Sequence, residues 1–263
     1  MNDITAVAQL VLHERRARDR GWWDLMQGCL APDAAIRLSW FRGQGAAFVA
    51  ASQEMAARGD AATHILSPPT VDVVGDRAAV EIGAAIHLRG DLHGVEVDLT
   101  SHARLLYRAE RRAGRWQITS LDPVYEYDSL APSIPGTPVR LEADVLARAR
   151  PSYRMLTCLL GAKDYAIGHD LYGDDRPEPV RQLYGTLFDW LRADNEKQKS
   201  SRKPWRMSGP LPPFAVKAIA TSPDPRAHQL LGAADPGQAL VQTPAAAGRR
   251  LPTRAGRMRG WGR

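Results

Sequence analysis

The feature that most constrains this chain is a block between residues 62 and 125 in which apolar and polar residues alternate and Gly- or Asp-containing turns fall between the segments. A period of two is that of a half-buried β-strand, and short glycine turns join antiparallel neighbours. Ala62 to Leu66 and Thr70 to Val74 are separated by Ser67-Pro68-Pro69. That insert suits a bend in an edge strand, because proline cannot donate to the ladder. Gly75-Asp76 turns the chain into Arg77 to Leu88, and Gly90-Asp91-Leu92-His93-Gly94 turns it into Val95 to Arg108. Ala113-Gly114 makes a third turn, into Arg115 to Tyr125.

Alternation also assigns faces. Val95, Val97, Leu99, Ser101, Ala103, Leu105 and Tyr107 share the apolar, inward face, with Ser101 as its polar exception. Glu96, Asp98, Thr100, His102, Arg104 and Arg108 share the other, so His102, Arg104 and Asp98 are set aside from any internal chemistry. On the last strand, Trp116, Ile118 and Ser120 are expected on one face.

Helical spacing dominates before this block. Asp3 can cap a helix in which Ile4, Val7, Leu10, Val11 and Glu14 recur every three or four residues, to about Arg18, and Gly21 ends it. Trp22 to Leu30 reads as a second helix, Ala35 to Phe41 as a strand with Ile36, Leu38 and Trp40 on one side, and Ala46 to Ala57 as a third helix closed by Arg58-Gly59. Trp22 and Trp23 cannot both face inward. The expected class is α+β: a curved, cone-shaped antiparallel sheet covered by N-terminal helices, followed by a C-terminal helical extension and a disordered tail. The expected organisation is a cone domain over residues 1–130, a linker and helical extension over 131–195, and a basic tail over 196–263. The linker is the proline-rich run from Ser129 to Pro138, and helices are expected over Leu141 to Ala149, Ser152 to Leu160 and Pro179 to Ala193.

Charge supports that division. Residues 196–263 hold 13 Lys or Arg against 3 acidic residues, and residues 1–195 hold 22 against 26. The basicity therefore belongs to a Pro- and Gly-rich tail rather than to a folded face, which argues against nucleic acid as the partner. Two cysteines, Cys29 and Cys158, form no CxxC or Cys/His cluster, so neither a disulfide framework nor a structural zinc site is expected. No apolar run approaches the roughly 18 to 20 residues of a membrane span, and the expected setting is the cytoplasm, with no membrane partner.

The string ARDRGWWDLMQGCLAPDA from Ala17 to Ala34, followed in order by WFRG at Trp40 to Gly43, ATHIL at Ala62 to Leu66 and LLYRAERRAGRWQITSLD at Leu105 to Asp122, resembles the nuclear transport factor 2-like superfamily. Within it, the polyketide-cyclase-like (SnoaL-like) and scytalone-dehydratase-like branches are nearest. The resemblance implies a cone enclosing a pocket for a small, largely apolar molecule. It also implies an acid near the end of the first helix paired with a histidine on a strand, positions that fall on Asp19 and His64. Ser101 matches a pocket serine of the dehydratases, whereas their neighbouring asparagine falls at Ala103 and no tyrosine precedes Asp19. The outer sheet face often carries subunit contacts in this superfamily, which permits a homo-oligomer here.

A carboxylate beside an imidazole fixes its tautomer and stabilises the imidazolium formed when a proton is taken. Inside an apolar cone such a pair can drive dehydration, elimination, isomerisation or aldol-type cyclisation with no metal or organic cofactor. The expected catalytic residues are therefore Asp19 and His64, with Trp40, Ser101, Tyr107 and Tyr125 as substrate-binding residues. The alternative is a non-catalytic ligand-binding or assembly module with the same cone. His13, His87 and His93 read as exposed or turn residues, and His169-Asp170 with Asp174-Asp175 as a solvated loop rather than a metal site.

Overall fold

In the computed structural model, which describes residues 2–198, the chain begins with α1, Asp3–Arg20. Asn2 rather than Asp3 caps it, its Oδ1 accepting from the Thr5 amide at 2.8 Å. Asp3 lies within the first turn and accepts hydrogen bonds from Arg111 and the Trp116 indole. Gly21 closes the helix at φ +68°, where a left-handed residue lets the Trp22 amide return to the Ala17 carbonyl at 2.9 Å. α2, Trp23–Cys29, follows, with Trp23 packed against the core and Trp22 exposed beneath the Arg16 guanidinium.

β1 is Leu30–Arg37, β2 is Arg42–Gln44 and α3 is Gly45–Ala57. β1 starts earlier and ends sooner than the alternation from Ala35 to Phe41 suggests. Leu38, Ser39 and Trp40 instead form the reversal into β2, and Ser39 is buried with them because its amide finds an internal acceptor. β3 (Ala62–Leu66) and β4 (Thr70–Val74) carry the bounds expected from sequence.

Three long strands follow: β5 (Arg77–Leu92), β6 (Val95–Arg112) and β7 (Arg115–Pro132). β5 and β6 run past the positions where the sequence places their turns. Each turn needs only two residues with positive φ, His93-Gly94 (54° and 84°) and Ala113-Gly114 (48° and 77°), so Gly90-Asp91 remains in the ladder. β7 likewise takes in Ser129 to Pro132, the first part of the expected linker.

The strand order is β2-β1-β7-β6-β5-β3, with β4 also on β5. Pairing is antiparallel except that β1 and the short β8 (Tyr172–Gly173) run parallel to β7. β5 serves two edge partners in succession, β4 along its first part and β3 along its second. The crossover is at Gly83, whose amide donates to Ser67 Oγ at 3.0 Å, so the Ser67-Pro68-Pro69 bend is pinned to the sheet. A bulge between Arg108 and Ala109 on the β6–β7 ladder changes the phase of β7. Ile118 stays inward, but Ser120 pairs with Arg108 on the outer face, contrary to simple alternation.

The inner face, α1 and α3 enclose a core that includes Val7, Val11, Phe48, Val80, Ile82, Leu105 and Ile118. Each such fully buried side chain contributes about 1.5–3 kcal/mol of transfer free energy. At the other end of the sheet, Tyr153, Leu156, Leu159 and Leu160, from a 3-10 turn and α5 (Arg154–Gly161), pack on Leu88, Val97, Leu99 and Tyr125. α4 (Ala143–Arg148) is short and has no buried residue.

The last helix, α6 (Pro177–Gln198), lies on the outer face, where Leu187 and Leu191 cover Ala79, Leu106 and Val124. Thus part of the face available for subunit contact is occupied by the chain itself. No helix among the described residues is long and apolar enough to cross a membrane. The basic tail expected to be disordered lies outside the described residues from 199 onward.

Candidate functional site

The inward side of α1 is apolar in its first half and charged in its second. Val7 and Val11 are succeeded at the same helical spacing by Glu14, Arg15 and Arg18, all buried. Glu14 takes the Arg15 guanidinium in a bidentate pair, Arg15 Nε donating to Oε2 at 2.5 Å and Nη2 to Oε1. Tyr107 donates more weakly to Glu14 Oε2 at 3.4 Å. Burial alone would lower the Arg15 pKa, but the contact with Glu14 outweighs it and raises it.

Asp19 stands on the last turn of α1 and meets His64 of β3. Its Oδ1 is 2.6 Å from His64 Nδ1, and its Oδ2 accepts from the His64 backbone amide at 2.7 Å. The second contact exists because β3 is an edge strand with a neighbour on one side only. The contact with an ionised carboxylate assigns the proton to Nδ1, leaving Nε2 as the ring atom with a free lone pair. Burial pushes the Asp19 carboxyl up, but the His64 hydrogen bond and charge, followed by Arg15, hold it below its ordinary value. For His64, burial is the largest effect and depresses the pKa; Asp19 opposes it, Arg15 and Arg18 reinforce it, and the result is about 4. The imidazole is therefore neutral at pH 7.

His64 lies on the wall of a narrow cavity of about 40 Å³. Arg15 and Arg18 line it from α1, Leu38, Ser39 and Trp40 from the β1–β2 reversal, Ile86 and Leu88 from β5, and Leu156 and Leu160 from α5. Tyr125 completes one side, its hydroxyl accepting from the Ser39 amide at 3.0 Å and keeping its own proton to donate. Burial raises the Tyr125 pKa, so that proton is retained.

Of the residues expected from sequence, the structure brings Asp19 and His64 into contact and puts Trp40 and Tyr125 on the same cavity. Ser101 and Tyr107 face inward and are fully buried, yet neither lines the cavity. Tyr107 is turned to Glu14, and Ser101 Oγ is buried without a hydrogen-bond partner among the described residues. Alternation gives both the inward face that they occupy, but not their place along the sheet, which is off this cavity. His87 is also not exposed as expected; it is half-buried, with Nδ1 3.1 Å from Thr100 Oγ1. The charged cavity residues that sequence reasoning missed are Arg15 and Arg18, although the spacing from Val7 and Val11 runs through them.

No group of three or more His, Cys, Asp or Glu among the described residues is arranged to hold a metal. Asp170 pairs with Arg37 and Arg42, and Asp175 with Arg150.

A family model described as the SnoaL-like domain matches residues 1–122. The match spans 122 of 263 residues, just under half of the chain, and makes this region similar to the SnoaL-like domain. The match ends within β7, so Asp19 and His64 lie inside it, whereas Tyr125 and α5 lie beyond it. An uncharacterised protein of Emericella nidulans is 26% identical over 210 residues, 69% of this chain and 87% of its own length. Pea pathogenicity protein 2 of Fusarium vanettenii is 27% identical over 142 residues, which cover 53% of this chain and 61% of the relative. Among solved structures, a putative scytalone dehydratase of Novosphingobium aromaticivorans superposes with a TM-score of 0.42 and 11% identity, covering 56% of this chain and 95% of that one.

Proposed function

We propose that the SnoaL-like domain is a lyase or isomerase of the dehydratase or cyclase type, in which His64 takes a proton from carbon beside a carbonyl or a leaving group. The substrate is a small, largely apolar cyclic or polyketide-like molecule. The observation that carries this reading is the double contact of Asp19 with His64 at the wall of an internal cavity. With Nδ1 held by Asp19, Nε2 accepts the proton; the imidazolium is then stabilised by a carboxylate that is already ionised. Trp40 and Ile86 supply an apolar wall, and the Tyr125 hydroxyl is a donor for a substrate oxygen. The chemistry of this pair needs no metal or organic cofactor.

The cavity accommodates only a few waters as it stands. A ring-sized substrate therefore has to displace Leu156 and Leu160, the side chains that α5 inserts. The same narrowness favours a second reading, a non-catalytic ligand-binding or assembly module whose interior is largely filled by its own side chains. The two separate in a substrate-panel assay of the full chain against His64→Ala and Asp19→Asn. The base reading expects turnover to fall by about 10²–10⁴-fold in His64→Ala and substantially in Asp19→Asn. Equal turnover in all three proteins would reject it.

A further inference from the structure

Arg18 is a cation whose surroundings do not complete it. It is 9% exposed and lines the cavity together with His64. Its guanidinium lies 5.4 Å from the Trp40 ring centroid and 6.0 Å from that of Phe48. Those contacts serve the faces of the guanidinium but not the N–H groups at its edge. Among the described residues, the one hydrogen bond it donates is from Nη2 to the Met55 sulfur at 3.5 Å, a weak acceptor, and its Nε is buried with no partner.

The neighbouring carboxylates are already engaged. Glu14 is held by Arg15, and both oxygens of Asp19 are turned to His64. Buried donors of this kind are costly to leave unmade, and a guanidinium edge matches a carboxylate through two parallel hydrogen bonds. Most of the remaining wall, Leu38, Trp40, Ile86, Leu88, Leu156 and Leu160 among it, is apolar; besides His64 its polar members are Arg15, which Glu14 holds, Ser39 and Tyr125. One guanidinium without an acidic partner in a largely apolar cavity fits a monoanion with a hydrocarbon body. A phosphate, with more charge and more acceptors, would need more donors than the Arg18 edge and the Tyr125 hydroxyl offer.

We propose that Arg18 is the anion-binding residue of the cavity, and that the molecule taken there is a compact apolar carboxylic acid whose carboxylate docks on the Arg18 guanidinium while its body lies against Trp40 and Ile86. As a statement about substrate this rests on the base reading above; as a statement about binding it stands independently. A carboxylate on Arg18 also neutralises one of the two cations that depress His64, so a bound acid makes the base stronger.

The test is a graded series of acids, acetate, but-2-enoate and benzoate, each compared with its neutral amide at constant ionic strength. Binding to the full chain is followed by calorimetry and by the NMR resonances of the Arg18 Nε–H and the Trp40 indole. At least one acid is expected to bind ten-fold or more tightly than its amide and to shift both resonances, and Arg18→Gln is expected to bring acid and amide within two-fold. No binding by any acid, equal binding of acids and amides, or an acid preference that leaves the Arg18 resonance unmoved overturns the proposal. The resonance criterion decides the matter in the wild-type chain even if Arg18→Gln fails to fold. His64→Gln separates the two claims: acid preference retained with turnover lost supports both. Turnover lost in the absence of any acid preference overturns the Arg18 assignment alone.

Discussion

Two buried acid-containing pairs lie a little over one turn apart on α1, and they differ in what they leave available. Glu14 and Arg15 complete one another: both carboxylate oxygens meet the guanidinium, and the assembly is sealed under the sheet with Tyr107. Asp19 also directs both oxygens to a single residue, but that residue is an imidazole whose second nitrogen is unused at a cavity wall. The comparison teaches that burial and pairing alone do not make a site. A buried charge pair is chemically useful where one member keeps a free lone pair and an approach to it.

The strongest way to break this contrast is Glu14→Gln. It leaves the Arg15 charge buried without its carboxylate, and the expected loss is about 3–5 kcal/mol in urea unfolding at pH 7. A loss under about 1 kcal/mol would mean that Arg15 is satisfied elsewhere and that the sealed pair is not structural.

The second test uses pH. The His64 pKa is depressed from 6.5 in the unfolded chain to about 4 in the folded one, so between those values the unfolded state binds the extra proton. The stability contribution is complete above pH 6.5 and is lost as the pH falls toward 4. Asp19, also depressed, adds a further loss at lower pH as it is protonated. Wild type should therefore lose on the order of 2–3 kcal/mol more than His64→Gln across the upper window. Parallel stability curves for the two proteins would show that His64 is not buried neutral.

The smallest expected effect sharpens the boundary of the site. Ser101→Ala removes a buried hydroxyl that has no partner among the described residues, so stability should hold or rise by up to about 1 kcal/mol. Turnover measured on the same variant should be unchanged, because Ser101 is off the cavity wall. A large loss of turnover would restore Ser101 to the substrate-binding set that the family resemblance implies.

Much of the fold was legible because local rules and tertiary structure agree along β3 to β7. The Ser67-Pro68-Pro69 bend and the inward face of β6 follow residues whose types have few other uses in those positions, whereas the pairing of Asp19 with His64 was implied by the family resemblance and not by local rules. The misreadings have specific causes. Gly90-Asp91 resembles a turn, yet the positive φ values needed are supplied by His93-Gly94. The bulge that turns Ser120 outward has no marker in a two-residue alternation. Leu106 was the one apolar residue among polar neighbours on the outer face, and it lies under α6. Arg15 and Arg18 drew no assignment from the sequence, although helical spacing continues the buried stripe through them. Finally, alternation tells which face a residue occupies but not how far along the sheet it lies, and depth is what separates Tyr125 at the cavity from Tyr107 and Ser101 away from it.

The covering of Ala79, Leu106 and Val124 by α6 has a consequence for how the outer face behaves with dilution. A face shielded by a second molecule is bare or covered according to how much protein is present. Here cover and covered belong to one polypeptide, and the connecting segment fixes their effective concentration irrespective of expression level. Apolar surface that would otherwise make adhesion depend on abundance is thereby shielded in every copy, including a solitary one.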